Sequence, residues 1–407
     1  MNLLYLSNEY PPETGLGGIG TYTNYCAEGM AARGHAVYVI CRSRSGEEQV
    51  TTNCGVTLFR TPPGSYPLPG HRLFFPLRKF CYHSIPESLV RLAWAKQAYQ
   101  TYKKELSGKT VIDIVEYPEC GGEGFYFARD KNLLKVARLH TPWAMVRKLD
   151  RISHHPLDEC LLDHIERSAV GNASFVTAPS HALAAIMKKR WKLPQVTVIP
   201  NPIPHAGFPP SKGNDLLFLG RIEFRKGVHI LIEAYSRLCK HLTPPPLRLV
   251  GAPYGRLPDG ADYGDRISRL IAEIPHNGSV EWIRGVSRSG VAEYMGRSSV
   301  AIFPSLWENM SYACLEAMAS GLAVVASNCG GFPEIISHGE NGMLVEPQNP
   351  ESLMNAMKEL ITAPHLVSTL GDNARRSVRM RFSLETVCAR LESLYRDFLW
   401  RRVHEPQ

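Results

Sequence analysis

The sequence predicts an α/β protein built from two doubly wound parallel-sheet domains. Three observations predict it. Short apolar, β-branched runs recur along the whole chain with helix-length gaps between them. The runs are apolar on both faces, as strands are when helices cover both sides of a parallel sheet. A proline-rich break, Pro200-Asn201-Pro202-Ile203-Pro204 followed by Phe208-Pro209-Pro210-Ser211-Lys212-Gly213, divides the runs into two sets. Proline fixes φ and removes a donor, so this stretch continues neither a helix nor a sheet.

The first set is Leu3–Ser7, Ala36–Cys41, Val56–Arg60, Ile112–Tyr117, Val136–His140, Phe175–Ala178 and Val196–Ile199. The second is Leu216–Leu219, Leu247–Val250, Val280–Ile283, Val300–Phe303, Ala323–Ala326 and Met343–Val345. A closing segment has apolar residues at 384, 387, 391, 394 and 398, steps of three and four that make one helical stripe, with Ser383 suited to cap it. The expected division is therefore residues 1–203, residues 204–383, and a helix in 384–407 that packs across the domain junction; the family resemblance given below implies that this helix returns to the first domain.

Composition bounds the class. The 407 residues are 44% hydrophobic and 21% charged, the balance of a globular chain long enough for two cores. A formal net charge of +8 permits anionic partners without selecting one. The ten cysteines form no C-x-x-C pair, so no zinc ribbon is signalled and reduced core thiols are expected. No run of 18 apolar residues predicts a membrane span, and Met1–Leu6 reads as a first strand, not a secretory signal. A cytoplasmic protein is expected. The basic, aromatic stretch His71–Phe80 would suit either a packed loop or a peripheral contact with the inner membrane face and a lipid-linked acceptor.

Ligands of open α/β sheets bind beyond the carboxyl ends of the strands. Four segments lie there. After the run 300–303, Glu308 and Glu316 are spaced E-x7-E in Glu308-Asn309-Met310-Ser311-Tyr312-Ala313-Cys314-Leu315-Glu316. A helix from near Ser311 to Gly321 would turn its free N–H groups toward the same edge, where a diphosphate fits. After the run 216–219 comes Gly220-Arg221-Ile222-Glu223-Phe224-Arg225-Lys226-Gly227. Arg221 and Lys226 bring two cations to that strand end, and a guanidinium can fork onto phosphate oxygens. Gly15-Leu16-Gly17-Gly18-Ile19-Gly20 fits the dinucleotide fingerprint, but Glu9–Thr14 separates it from its strand, which counts against an NADP dehydrogenase. Finally, His140 ends a strand of the first domain in Arg138-Leu139-His140-Thr141-Pro142.

In their joint order these segments resemble glycosyltransferase family 4, over nearly the whole chain. The resemblance implies the GT-B fold, two Rossmann-like domains facing across a cleft, and a retaining, metal-independent transferase with a nucleotide diphosphate sugar as co-substrate and no permanently bound cofactor. It implies that Arg221 and Lys226, beside Gly220, hold the diphosphate. Glu316 would bind the ribose hydroxyls, Glu308 the transferred sugar, and the backbone of Asn309, Met310, Ser311 and Tyr312 the sugar and phosphates. Gly17, Gly18 and Gly20 would lie over the phosphates, with Asn201 also in the donor site. His140 would touch the sugar near the reacting carbon, and the backbone around Arg284 to Val286 would receive the base. His140, Glu308, Arg221 and Lys226 are the candidate catalytic residues, and no metal ligand is expected.

The acceptor is a hydroxyl of unidentified class, and nucleic acid is not an expected partner. UDP-sugar is the first expectation for the donor and GDP-mannose the next. The sequence departs from the family where many members carry Glu-Gly-Phe-Gly, having Glu308-Asn309-Met310-Ser311, and where Pro202 follows Asn201. A nucleotide-sugar epimerase, a phosphorylase on the same fold and a non-catalytic nucleotide-sugar-binding protein are the alternatives.

Overall fold

The computed structural model describes residues 1–14, 17–65, 81, 83–151, 155–204, 207–211, 213–257 and 260–404. The stretch His71–Phe80, with its proposed membrane contact, lies outside the described residues. The chain forms two compact units. One comprises Met1–Val146, His154–Pro202 and Leu384–Gln407, the other Arg147–Ser153 and Ile203–Ser383.

The first unit begins β1 (Asn2–Ser7), α1 (Gly18–Ala32), β2 (Ala36–Arg42), β3 (Gln49–Asn53), β4 (Val56–Thr61) and α2 (Pro86–Glu105). It continues through β5 (Ile114–Pro118), β6 (Lys135–Arg138), α3 (Trp143–Asp150), α4 (Pro156–Gly171), β7 (Phe175–Ala178), α5 (His181–Trp191) and β8 (Thr197–Val198); the last four residues of α3, Arg147–Asp150, group with the second unit. The strand order is β3-β4-β2-β1-β5-β6-β7-β8. Every pair is parallel except β3 with β4. Leu3, Leu4, Tyr5 and Leu6 are consecutive and all buried, as the apolar-both-faces pattern requires. β3 was not legible in the pattern because Gln49–Asn53 is exposed at every position. It is an antiparallel edge strand with no buried face to leave a periodicity.

The second unit carries β9 (Asp215–Leu219), α6 (Val228–Leu238), β10 (Leu247–Val250), α7 (Tyr263–Ala272), β11 (Val280–Ile283), α8 (Arg288–Arg297) and β12 (Ser298–Phe303). Then follow α9 (Tyr312–Ala319), β13 (Ala323–Ser327), α10 (Phe332–Ile335), β14 (Met343–Val345), α11 (Pro350–Thr362) and α12 (Pro364–Arg381). The sheet is all parallel in the order β11-β10-β9-β12-β13-β14. Alternate strand residues feed two separate cores. Leu216, Phe218, Val300 and Ile302 pack with α6 and α11 side chains such as Leu231 and Met357. Leu217, Leu219, Ala301 and Phe303 pack with α9 and α12 side chains such as Leu315 and Ala374. That alternation is the doubly wound arrangement seen from the side chains.

Asp262 caps α7, accepting a bond from the Asp265 N–H at 3.2 Å. An acid at the cap and another in the first turn both suit a helix N-terminus. The chain then returns to the first unit in α13 (Leu384–His404). Val387, Cys388, Leu391, Tyr395 and Phe398 are its buried residues. Cys388 lies against Gly29 of α1, Phe398 stacks on Phe175 at 3.7 Å, and Tyr395 donates to buried Glu116 at 2.6 Å. None of the cysteines is bonded to another, and Cys54 and Cys160 are exposed. Among the described residues no helix is long and apolar enough to cross a membrane.

Candidate functional site

In the second unit the sheet order reverses between β9 and β12, since β10 and β11 run outward from β9 on one side and β13 and β14 from β12 on the other. Such a switch point opens a crevice at the carboxyl edge. The loops leaving these two strands are the two segments richest in chemistry, 220–227 and 304–311. They are joined by the Leu306 N–H, which donates to the Arg225 carbonyl at 2.8 Å. Gly227, at φ +69°, starts α6, and a Cβ there would lie 2.0 Å from the Pro304 carbonyl oxygen. Only glycine lets the loops approach this closely.

The approach builds an ionic cluster. Lys226 Nζ pairs with Glu308 Oε2, and Arg225 Nη1 lies 3.3 Å from the same oxygen. Arg225 also pairs with Glu223 through Nη2, lies 3.5 Å from Asp150 Oδ2 through Nε, and donates its backbone N–H to Asp150 Oδ1 at 3.0 Å. Burial works against ionisation of Glu308 and is the largest influence on it. Lys226 and Arg225 together outweigh it and hold the carboxyl below its usual range. Burial likewise disfavours the Arg225 cation, but Glu308, Glu223 and Asp150 outweigh it and keep the guanidinium charged. Burial, then Glu223, push Asp150 upward against the pull of Arg225.

Behind Glu308, Asn309, Met310 and Ser311 are buried, and Ser311 caps α9 by accepting from the Cys314 N–H at 3.3 Å. Tyr312 opens α9 and Glu316 is its fifth residue, both half-buried. Gly330 and Gly331 clamp the same loop. The Gly331 N–H donates to the Glu308 carbonyl at 2.9 Å. Gly330 has φ +56°, and a Cβ there would lie 1.8 Å from that carbonyl oxygen.

Arg221 sits at the open side of the cluster, with its side chain 53% exposed. Its guanidinium lies 4.6 Å over the Tyr254 ring and 3.2 Å from Glu223 Oε2. Gly220 precedes it and packs edge to edge with the next loop, since a Cβ on Gly251 would meet the Gly220 oxygen at 1.8 Å. Arg284 and Val286 follow β11, two strands away from β9. Arg284 is exposed, stacks at 4.1 Å over Trp282 and donates to Ser268 at 3.1 Å, while Val286 is half-buried.

The remaining candidates belong to the first unit. His140 lies two residues beyond β6, and its N–H donates to Glu119 Oε2 at 2.7 Å. Its ring meets Tyr22 edge-on at 5.1 Å. Burial first, then the neighbouring Arg138 cation, push the imidazole well below its ordinary value, so it is neutral. Asn201 is buried, and its side-chain oxygen accepts from Arg138 Nη2 at 3.0 Å. Gly17 caps α1. Cβ atoms on Gly17 and Gly20 would meet Glu9 at 2.4 and 3.0 Å, whereas Gly18 faces open space.

Three residues of the cluster were missed in the sequence. Arg225 and Glu223 stand inside the 220–227 segment, and the signal that could have found them is a run of alternating charge in a loop that must pack against β12. Asp150 gave no signal, because it arrives from α3, 75 positions before Arg225. Among the described residues no group of three or more His, Cys, Asp or Glu could hold a metal ion.

Two family models match the chain, the glycosyl transferases group 1 model over residues 203–377 and the Glycosyltransferase Family 4 model over residues 16–206. A glycogen synthase of Mycobacterium tuberculosis is 24% identical over 97% of this chain and 94% of the relative. An MMP alpha-(1->4)-mannosyltransferase of Mycolicibacterium hassiacum is 26% identical over 96% and 97%. Among solved structures, a sucrose-phosphate synthase from Thermosynechococcus elongatus shares the fold with TM-score 0.75 at 24% identity, over 97% of this chain and 98% of the other. Anabaena HepE in complex with UDP-glucose shares it with TM-score 0.68 at 18% identity, over 98% and 100%.

Proposed function

This chain belongs to glycosyltransferase family 4, and from that premise we propose that it transfers a sugar from a nucleotide diphosphate sugar to a hydroxyl acceptor with retention of configuration at the anomeric carbon. A UDP-sugar is the first donor and GDP-mannose the second. The acceptor is a hydroxyl of a glycan, a glycolipid or a small-molecule glycoside. The observation that carries this reading is the meeting of Lys226, Arg225 and Glu308 at the switch point of the second unit, beside the N-terminus of α9. Cations beside a helix N-terminus suit a diphosphate, and an ionised carboxylate next to them suits sugar hydroxyls. A solved neighbour with UDP-glucose bound supports the choice of base.

In the proposed transfer the diphosphate departs as the acceptor hydroxyl arrives on the same face of the sugar. The C1–O bond to the phosphate breaks, the C1–O bond to the acceptor forms, and the departing phosphate oxygen takes the acceptor's proton. Arg221, Lys226 and the α9 N–H groups stabilise the charge growing on the leaving group, so no divalent metal is assigned to the step. Glu308 accepts bonds from the transferred sugar and Glu316 from the ribose. His140 enters as a neutral hydrogen-bonding group, not as a cation.

The test is thermal stability of the wild type and Glu316→Ala against UDP, GDP, ADP and their sugars, with NADP as a control. A ligand at 100 times its Kd adds about 2.7 kcal/mol to the folded state, a visible shift in melting. Stabilisation by one nucleoside diphosphate in the wild type, and much less in the variant, is expected. Stabilisation by NADP alone, or by none of them, would refute the donor assignment.

A further inference from the structure

Glu308 has two cations on one carboxylate oxygen, and they are held very differently. Arg225 is fixed from every side. It pairs with Glu223, lies against both oxygens of Asp150, and donates from Nη1 to the Trp307 carbonyl at 3.4 Å as well as facing Glu308. Its side chain is 9% exposed, and those of Glu223 and Asp150 are 1% and 3%. Lys226 is the more open of the two at 17%, on a flexible stem, and its ion pair is with Glu308. The cluster is balanced, with Arg221, Arg225 and Lys226 against Glu223, Glu308 and Asp150. A diphosphate arriving there competes with Glu308 for Lys226. A buried carboxylate that loses its only counter-ion is strongly penalised.

We propose that Arg225 is a positioning residue that lets Lys226 be handed over. When the donor diphosphate enters, Lys226 turns from Glu308 to the phosphate oxygens. Arg225, anchored by Asp150 and Glu223, keeps Glu308 ionised and in place for the sugar. The inference rests on the donor-site reading above and adds a division of labour to it. One cation stays with the carboxylate and the other travels to the ligand.

The test is calorimetric titration of UDP, GDP and ADP, with uridine as a control that carries no phosphate. In Arg225→Gln, Glu308 depends on Lys226 alone, so the affinity for the nucleoside diphosphate falls on the order of tenfold or more while uridine binding is unchanged. Adding Glu308→Gln to that variant frees Lys226 and restores the affinity, which a merely structural role for Arg225 would not do. Glu308→Gln alone, which removes a charge and keeps the shape, binds the nucleoside diphosphate several-fold more tightly than the wild type. That arm decides the matter should Arg225→Gln fail to fold. An Arg225→Gln protein that binds as the wild type does, a double variant as weak as the single, or no gain in Glu308→Gln would overturn the hand-over alone. A wild type that binds none of the three diphosphates would overturn the donor reading and the hand-over with it.

Discussion

Gly330→Ala strains the point where the second unit's glycine pair meets the loop that carries Glu308. The native φ is +56°, which an alanine adopts at a cost of about 1–2 kcal/mol. The added Cβ would lie 1.8 Å from the Glu308 carbonyl oxygen and 2.9 Å from its carbon, where contacts under 3.0 Å are essentially never seen. The obstacle is backbone, so it cannot rotate away. One of the two loops must move by more than an ångström, adding about 1–3 kcal/mol of the kind found on overpacking. A loss of about 2–5 kcal/mol follows, or about 4–20 °C in the transition of a unit of this size. The group that the new Cβ meets is Glu308 itself, whose carbonyl also accepts the Gly331 N–H. Donor affinity should therefore fall as well, measured below the transition where the variant is folded. Differential scanning calorimetry and titration with the stabilising nucleotide sugar are the assays. A variant that melts within about 1 °C of the wild type and binds the donor equally well would show that the loops do not meet as described.

Two further outcomes are expected. Arg221→Ala removes one charge-assisted contact worth about 1.5–3 kcal/mol, so kcat/KM for the donor drops on the order of 10–100-fold; an unchanged rate would remove Arg221 from the site. In the first unit, burial and then Glu166 push Glu119 up to about 8, and burial pushes Glu123 and Glu166 up to about 7. Their folded values exceed the unfolded value of about 4.3, so the stability they allow is fully present below about pH 4 and is lost as pH rises through 7 to 8. Melting of the first unit should fall over that range, and Glu119→Gln, whose amide oxygen can still accept the His140 N–H, should flatten the fall. The same slope in the variant would refute the assignment.

All thirteen strands legible in the sequence are present, because most of them are largely buried in a sheet and so carry a mainly apolar run; the edge strands β8 and β11 are only half-buried. β3 escaped because an exposed antiparallel edge leaves no such run. Boundaries were less legible. The run ending at His140 stops as a strand at Arg138, and the run beginning at Ile112 starts at Ile114. The helix from Ser311 to Gly321 was readable at both ends, since a serine that caps and a glycine at φ +80° are local signals. Lys226 and Glu308 could be singled out for the same reason, each standing just past a strand. That they pair with each other, with Arg225 between three carboxylates, depends on strand order. Nothing local in the sequence says that the strand at 215–219 lies beside the one at 298–303.

The first unit is made of pieces from both ends of the described chain, whereas residues 203–383 of the second run without a break. A ribosome delivers α13 only after the whole of that continuous stretch. Until then Glu116 lacks the phenol of Tyr395, and Phe175 lacks the ring of Phe398. Domains usually fold in the order in which they emerge. Here the first unit receives its α13 only after the whole of residues 203–383 has emerged. A stop codon placed shortly after residue 383 would therefore leave the second unit's residues in place and strip the first unit of a helix, although most of that first unit precedes the second in the chain.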